Sequence, residues 1–312
     1  MVDTSTQTAS SSSVAPQRSS FWQRNRRAIT GLAFISPFYI SFAIFGLYPL
    51  VFSIYLSLND WNGRDPLEWV GINNFQKIFT GPDKMFWQSV TNGIILFLMY
   101  VPIMIFLALV LAVILNSGRV KGFRFFRTII FLPFITNMVA AGFAFRLLLE
   151  ANQNGLFNII LRLFGLPPYG WLESEWGARI SLSLLIIWAW LGYNMVIMLA
   201  GLQTIPHDLT DAALVDGAGP IQAFFRITIP LMRPVILFAV ITSTIGSFGL
   251  FAEVTTLTGG GPANATITPL IRIYNVAFDS FKFGYASAMA YTFFAIIFFL
   301  TLVQLWFNRE QA

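Results

Sequence analysis

Residues 211–230 read DAALVDGAGPIQAFFRITIP. This stretch lies between two long apolar runs, 179–203 and 231–252, yet carries acids, an arginine, small residues and a Gly-Pro step. Asp208 can cap a short helix in which Leu209, Ala212 and Ala213 share one face. Gly217 supplies the left-handed residue that ends that helix. Gly219-Pro220 restarts a second, with proline in its first turn where no N–H is needed. Ile221, Phe224, Phe225 and Thr228 are expected along one side, and Pro230 is expected to stop the helix before the next apolar run. The pattern predicts two short helices at an angle, standing outside a bilayer and presenting a small-residue face. An ordinary helix–helix connector is about 2–8 residues long, so we read the element as a docking surface for another protein.

The composition around it belongs to a membrane protein. Hydrophobic residues make up 56% of the 312 and charged residues 11%, with 33 phenylalanines, and the mean hydropathy is +0.69. Soluble domains carry about 25% charge. The net charge of +5 comes without a basic stripe interleaved with aromatics, which argues against nucleic acid as a partner. With no cysteine and one histidine, disulfides, thiolate nucleophiles and most metal sites are excluded. His207 reads as a loop residue. The polar Ser/Thr-rich tail over 1–28 is expected to be disordered and cytoplasmic. It does not resemble a cleaved signal, because the apolar run after Arg24, Arg26 and Arg27 is too long and no small-residue cleavage site follows.

A membrane span needs about 20 mostly apolar residues. Six stretches qualify: 29–57, 87–116, 127–149, 179–203, 231–252 and 284–307. Pro37, Pro49, Pro102 and Pro133 fall inside them and predict kinked, packed helices. Lys and Arg in short loops set orientation. Arg18, Arg24, Arg26 and Arg27 precede the first span, and Arg119, Lys121, Arg124 and Arg127 sit between the second and third. Both segments belong in the cytoplasm, and six spans then place both termini there. Loop 58–86 has three basic and four acidic residues and belongs outside, as does 150–178. Trp61, Trp69 and Phe75 in the first of these loops read as an aromatic belt at the interface rather than a ligand site. LTGGGPANAT, from Leu257, reads as a flexible turn-rich loop.

The spacing of 211–230 resembles the EAA loop of the membrane-spanning subunits of binding-protein-dependent ABC importers. Ala212, Ala213, Gly217, Ile227 and Pro230 match it. Asp211 stands where the family usually has Glu, and Ile229 where it usually has Leu. LAGLQTIPHDL, DGAGPIQAFF, LTGGGP, FGYASAMAY and WVGINNF are similar to the carbohydrate-uptake branch, its maltose-type first permease subunit in particular. The resemblance covers about residues 29–308. It implies an all-α polytopic fold of the type I importer class: a first transmembrane helix at 29–57, an extracytoplasmic loop at 58–86, and a core at 87–308 that carries the EAA loop at 208–230. It also implies a division of labour. Asp211, Ala212, Ala213, Gly217, Ile227 and Pro230 would dock a separate ATPase dimer, which binds the ATP and magnesium. A second permease subunit would complete the pathway, and an extracytoplasmic solute-binding protein would deliver a sugar. This chain would bind no cofactor and hydrolyse nothing. Its residues agree, since no G-x-x-x-x-G-K-[ST] phosphate loop is present.

Polar side chains at membrane depth are functional hints, because lipid cannot satisfy them. Asn137, Gly192, Tyr193, Asn194, Ser243 and Ser247 are the candidates for a sugar path. Amides and hydroxyls suit sugar hydroxyls, and an aromatic plate suits the flat face of a sugar ring. The alternative for each is hydrogen bonding between helices. Arg146, Glu150 and Glu253 fall near span ends and read as interfacial pairs or snorkelling groups. A membrane enzyme would need a convergent nucleophile, base or carboxylate pair, and none is evident. An ion-coupled transporter would need a midplane carboxylate. A glycerol-3-phosphate permease of the same family would need cations on the path, and few are evident.

Overall fold

The computed structural model describes residues 21–81, 83–118, 120–206, 209 and 217–309. The tail over 1–20, Arg119, His207, Asp208, Asp211, Ala212 and Ala213 lie outside the described residues. The chain divides into two units, Met1–Ser53 and Ile54–Ala312.

The first unit holds α1 (Phe21–Phe42), a π turn over Ala43–Leu47 and most of α2 (Tyr48–Ser57). Phe34, Phe38 and Phe45 stand exposed, as side chains solvated by lipid do. The π turn has a local cause. Pro49 has no N–H, and its ring would press on the carbonyl four residues back. The amide of Tyr48 instead donates to the oxygen of Ala43, five residues back, and the widened turn makes room.

The second unit begins with a short antiparallel hairpin, β1 (Asn59–Asp60) against β2 (Glu68–Trp69), with Asn59 opposite Trp69. The rest of its regular structure, among the described residues, is helical: α3 (Asn73–Thr80), α4 (Lys84–Asn116), α5 (Phe123–Ile135), α6 (Met138–Leu148), α7 (Leu156–Leu163) and α8 (Glu175–Leu202). Then follow α9 (Ile221–Leu231), α10 (Arg233–Phe248), α11 (Ala252–Leu257), α12 (Pro269–Tyr274) and α13 (Phe283–Arg309). Four helices are long and apolar enough to cross a membrane, and six if each of two bent pairs counts as one span. Helices dominate because each satisfies its own backbone where no water can.

The centre is the packing of α4 on α8, with α5 laid on α8, α10 on α4, and α11 folded back against α6. Leu96, Met104 and Ala108 of α4 meet Leu182, Leu185 and Met195 of α8 in the buried core. Gly192 lets α5 approach, since a Cβ there would overlap the carbonyl oxygen of Ile130.

Several expectations are corrected. The stretch 127–149, expected as a kinked span, is bent much further, with α5 and α6 meeting at 97°. Pro133 removes a ladder donor, Thr136 is extended, and Asn137 caps α6 by accepting from the amides of Val139 at 3.0 Å and Ala140 at 3.2 Å. Pro230 does not stop its helix. A π turn over Phe224–Thr228 absorbs it, as at Pro49, and the chain bends by 69° only after Leu231. That turn also resets the helical phase. Ile221 and Phe225 are exposed, whereas Phe224 packs against the core, so the four residues do not share a face.

The Gly-rich loop is pinned rather than flexible. Asn92 donates to the oxygens of Asn264 at 2.7 Å and Ile267 at 3.0 Å. Arg179 donates to the oxygen of Ala265 at 3.1 Å and to Asn92 Oδ1 at 3.3 Å, with its guanidinium 5.0 Å from the centre of the Trp176 ring. In the first loop the Trp61 indole donates to the oxygen of Asp65 at 3.0 Å and packs on Phe283.

Candidate functional site: a cavity among α4, α8 and α10

A cavity of about 390 Å³ opens where α4, α8 and α10 converge with the turn into α11. Such a volume lies within the range of about 300–1,000 Å³ usual for small-molecule sites. Tyr100 and Met104 enter it from α4; Ile186, Trp190, Tyr193 and Asn194 from α8; Thr242 and Ser243 from α10; and Glu253 from α11.

The α8 wall is aromatic and rigid. The Tyr193 ring stacks on Phe134 with centroids 4.8 Å apart, and Trp190 meets both edge-on, at 5.2 Å from Phe134 and 5.9 Å from Tyr193. One helical turn beyond Trp190, the Asn194 amide donates to the Trp190 oxygen at 3.1 Å. Its Oδ1 is buried without a hydrogen-bond partner, and an acceptor left unmet at this depth is costly unless something supplies a donor. On the α4 side the Tyr100 and Ser247 hydroxyls lie 2.6 Å apart, and Ser247 also donates to the Ser243 oxygen at 2.7 Å.

Of the residues picked from sequence, Tyr193, Asn194 and Ser243 come together on this wall. Ser247 is fully buried behind it and bonds to Tyr100. Gly192 turns away toward α5. Asn137 is exposed at the α5–α6 bend and forms no part of the cavity. Tyr100, Trp190 and Thr242 went unnoticed. Trp190 had a signal, lying four residues before Asn194 and so on the same helix face. Glu253 is not a snorkelling group. It is 8% exposed and lines the cavity, because the chain turns inward after α10 instead of leaving the bundle. Arg146 and Glu150 border separate shallow hollows.

At the other element singled out from sequence, Gly217 is exposed with φ +79°, in the left-handed region. Ile227 lies in the π turn, and both it and Pro230 are half-buried.

Residues 78–311 match the family of binding-protein-dependent transport system inner membrane components. The chain belongs to this family. As a multi-pass permease subunit it is a transport component and not an enzyme. It is 37% identical to the lactose transport system permease protein LacF of Rhizobium radiobacter, over 91% of this chain and 95% of that one. It is 31% identical to the arabinooligosaccharides transport system permease protein AraP of Halalkalibacterium halodurans, over 90% and 88%. Its fold is similar to a chain in the crystal structure of a bacterial ABC transporter that imports the acidic polysaccharide alginate. There the TM-score is 0.76 at 22% identity, covering 93% of this permease and 98% of that chain.

Proposed function

We propose that this permease moves a sugar or oligosaccharide across the cytoplasmic membrane as one half of the pathway of an ATP-driven importer. The observation that carries the reading is the cavity wall. Trp190 and Tyr193 offer aromatic faces for the apolar side of a pyranose ring, and Asn194 Oδ1 awaits a hydroxyl donor beside them. The names of the similar lactose and arabinooligosaccharide permeases support it. Tyr193, Asn194 and Ser243 would touch the sugar directly. Ser247 would hold Tyr100 in place, and Gly192 would set the distance between α5 and α8. Asn137 would act only through the bend it caps.

The power stroke would come from a separate ATPase dimer that carries ATP and magnesium. It would dock on the loop at 208–230 through Asp211, Ala212, Ala213, Gly217, Ile227 and Pro230. Exposed Ile221 and Phe225 add apolar surface to that element. A second permease subunit would close the other side of the pathway, and a solute-binding protein would deliver cargo from outside. Both termini would face the cytoplasm, with 58–86 and 150–178 outside.

The test is uptake of labelled lactose and arabinotriose into proteoliposomes holding the complete transporter, with its binding protein outside and ATP inside. ATP-dependent uptake of either that falls at least tenfold in Trp190→Ala, with the complex still assembled, is the expected result. Uptake of neither sugar, or uptake unaffected by Trp190→Ala, would overturn the reading.

A further inference from the structure

The charge balance of the cavity says more about its cargo than its shape does. Glu253 is the carboxylate on its wall, and no Lys, Arg or His lines it. Among the described residues, no cation forms an ion pair with Glu253. The nearest functional groups across the cavity are neutral: phenols, hydroxyls and the amide of Asn194.

We infer that Glu253 sets the charge class this cavity accepts: an uncharged sugar unit is admitted and an anionic one (a uronate, sulfonate or sugar phosphate) is refused. The inference rests on the sugar reading above and deepens it. An ionised Glu253 repels a second negative charge in a medium that screens poorly. This chain supplies no cation on the cavity wall to offset that repulsion. A neutral pyranose meets the opposite situation. Its hydroxyls donate to the Glu253 oxygens and to Asn194 Oδ1, and charge-assisted bonds of that kind are stronger than neutral ones. Its apolar face lies on Trp190 and Tyr193. Glu253 and Asn194 belong to α11 and α8, so the two acceptors approach the ring from different helices and fix its orientation.

The test compares two probes that share one ring, methyl β-galactoside and methyl β-galacturonide, which differ only in CH₂OH against COO⁻. Saturation-transfer NMR is recorded on the complete transporter in nanodiscs. The galactoside is expected to give a signal that Trp190→Ala abolishes, with the galacturonide at least tenfold weaker. Glu253→Gln keeps the size and hydrogen-bonding reach of the side chain and should narrow the gap to under threefold. Glu253→Lys, checked for assembly by size exclusion, should reverse the preference. Equal binding of the two probes by the native protein would overturn the inference while leaving the sugar reading intact. So would an unchanged gap in Glu253→Gln beside a Trp190-dependent galactoside signal. The absence of any Trp190-dependent signal from either probe would overturn both.

Discussion

At the scale of single residues, the structure separates polar side chains that hold helices together from those that face the cavity. Arg179 is the clearest of the first kind. Its buried guanidinium reaches the Ala265 oxygen and Asn92 Oδ1, and Asn92 in turn holds two more carbonyls of the same loop. Arg179→Met keeps the apolar stem but leaves an acceptor buried without a donor. The expected cost is about 1–3 kcal/mol, concentrated in the loop. Faster amide exchange over 258–268, with the helices unaffected, is the measurement that checks it. Gly192 is held to α5 by contact. Gly192→Val puts its branches against the Ile130 backbone, and overpacking of this kind costs about 1–3 kcal/mol. A lowered melting temperature of the assembled transporter is expected, and an unchanged one would mean that α5 moves aside freely. Tyr193, Asn194 and Ser243 were legible in the sequence because a polar group inside an apolar run has few reasons to be there. Tyr100 and Thr242 were not, since a tyrosine or threonine in a span points at nothing until its neighbours are known. Glu253 was misplaced for a different reason. Counting apolar residues locates the end of a span but does not say whether the chain then leaves the bundle or folds back into it.

At the scale of elements, hydrophobic length marked four helices long enough to cross a membrane and two bent pairs, and proline reshaped several of them. The same physics acts at Pro49 and Pro230. Each lies two residues beyond a π turn, whose i→i+5 bond moves the obstructed carbonyl out of the ring's way. A period of 3.6 residues cannot anticipate such a turn, so the faces assigned to α9 from sequence were out of phase. Pro230→Ala removes the obstruction and should let the ladder revert to ordinary α-helical bonds. The expected outcome is a rotation of the segment before it. Single cysteines at Phe224 and Phe225 would then change their relative reactivity toward a thiol reagent, whereas equal reactivities before and after would show that the π turn has another cause. The bend between α5 and α6 was half legible. Pro133 and Asn137 mark a break, but the 97° angle follows from what each half packs against: α5 on α8, and α6 on α11.

At the scale of the whole molecule, function depends on which face of the membrane each loop meets, and this chain is suited to asking. It has no cysteine, so one introduced thiol at a time reports its own side. The Lys and Arg distribution predicts Lys121 inside, with Glu68 and Gly165 outside, and a count of six spans then predicts Gln222 inside as well. A membrane-impermeant maleimide on intact cells should label Glu68→Cys and Gly165→Cys and spare Lys121→Cys and Gln222→Cys. Inverted vesicles should give the opposite pattern. The arrangement matters because, in the proposed docking, the helix after Gly217 would reach an ATPase only from the cytoplasmic face. Gly217→Val then tests the coupling itself. A φ of +79° costs a β-branched residue about 1–2 kcal/mol, and a Cβ there would meet no neighbouring atom, so the variant disturbs the turn and little else. Insertion and the labelling pattern should stay normal while ATP-driven uptake falls at least fivefold and ATP hydrolysis no longer responds to the loaded binding protein. Normal uptake with that hydrolysis response intact would remove Gly217 from the coupling element. External labelling of Gln222→Cys would remove the whole 208–230 loop from it.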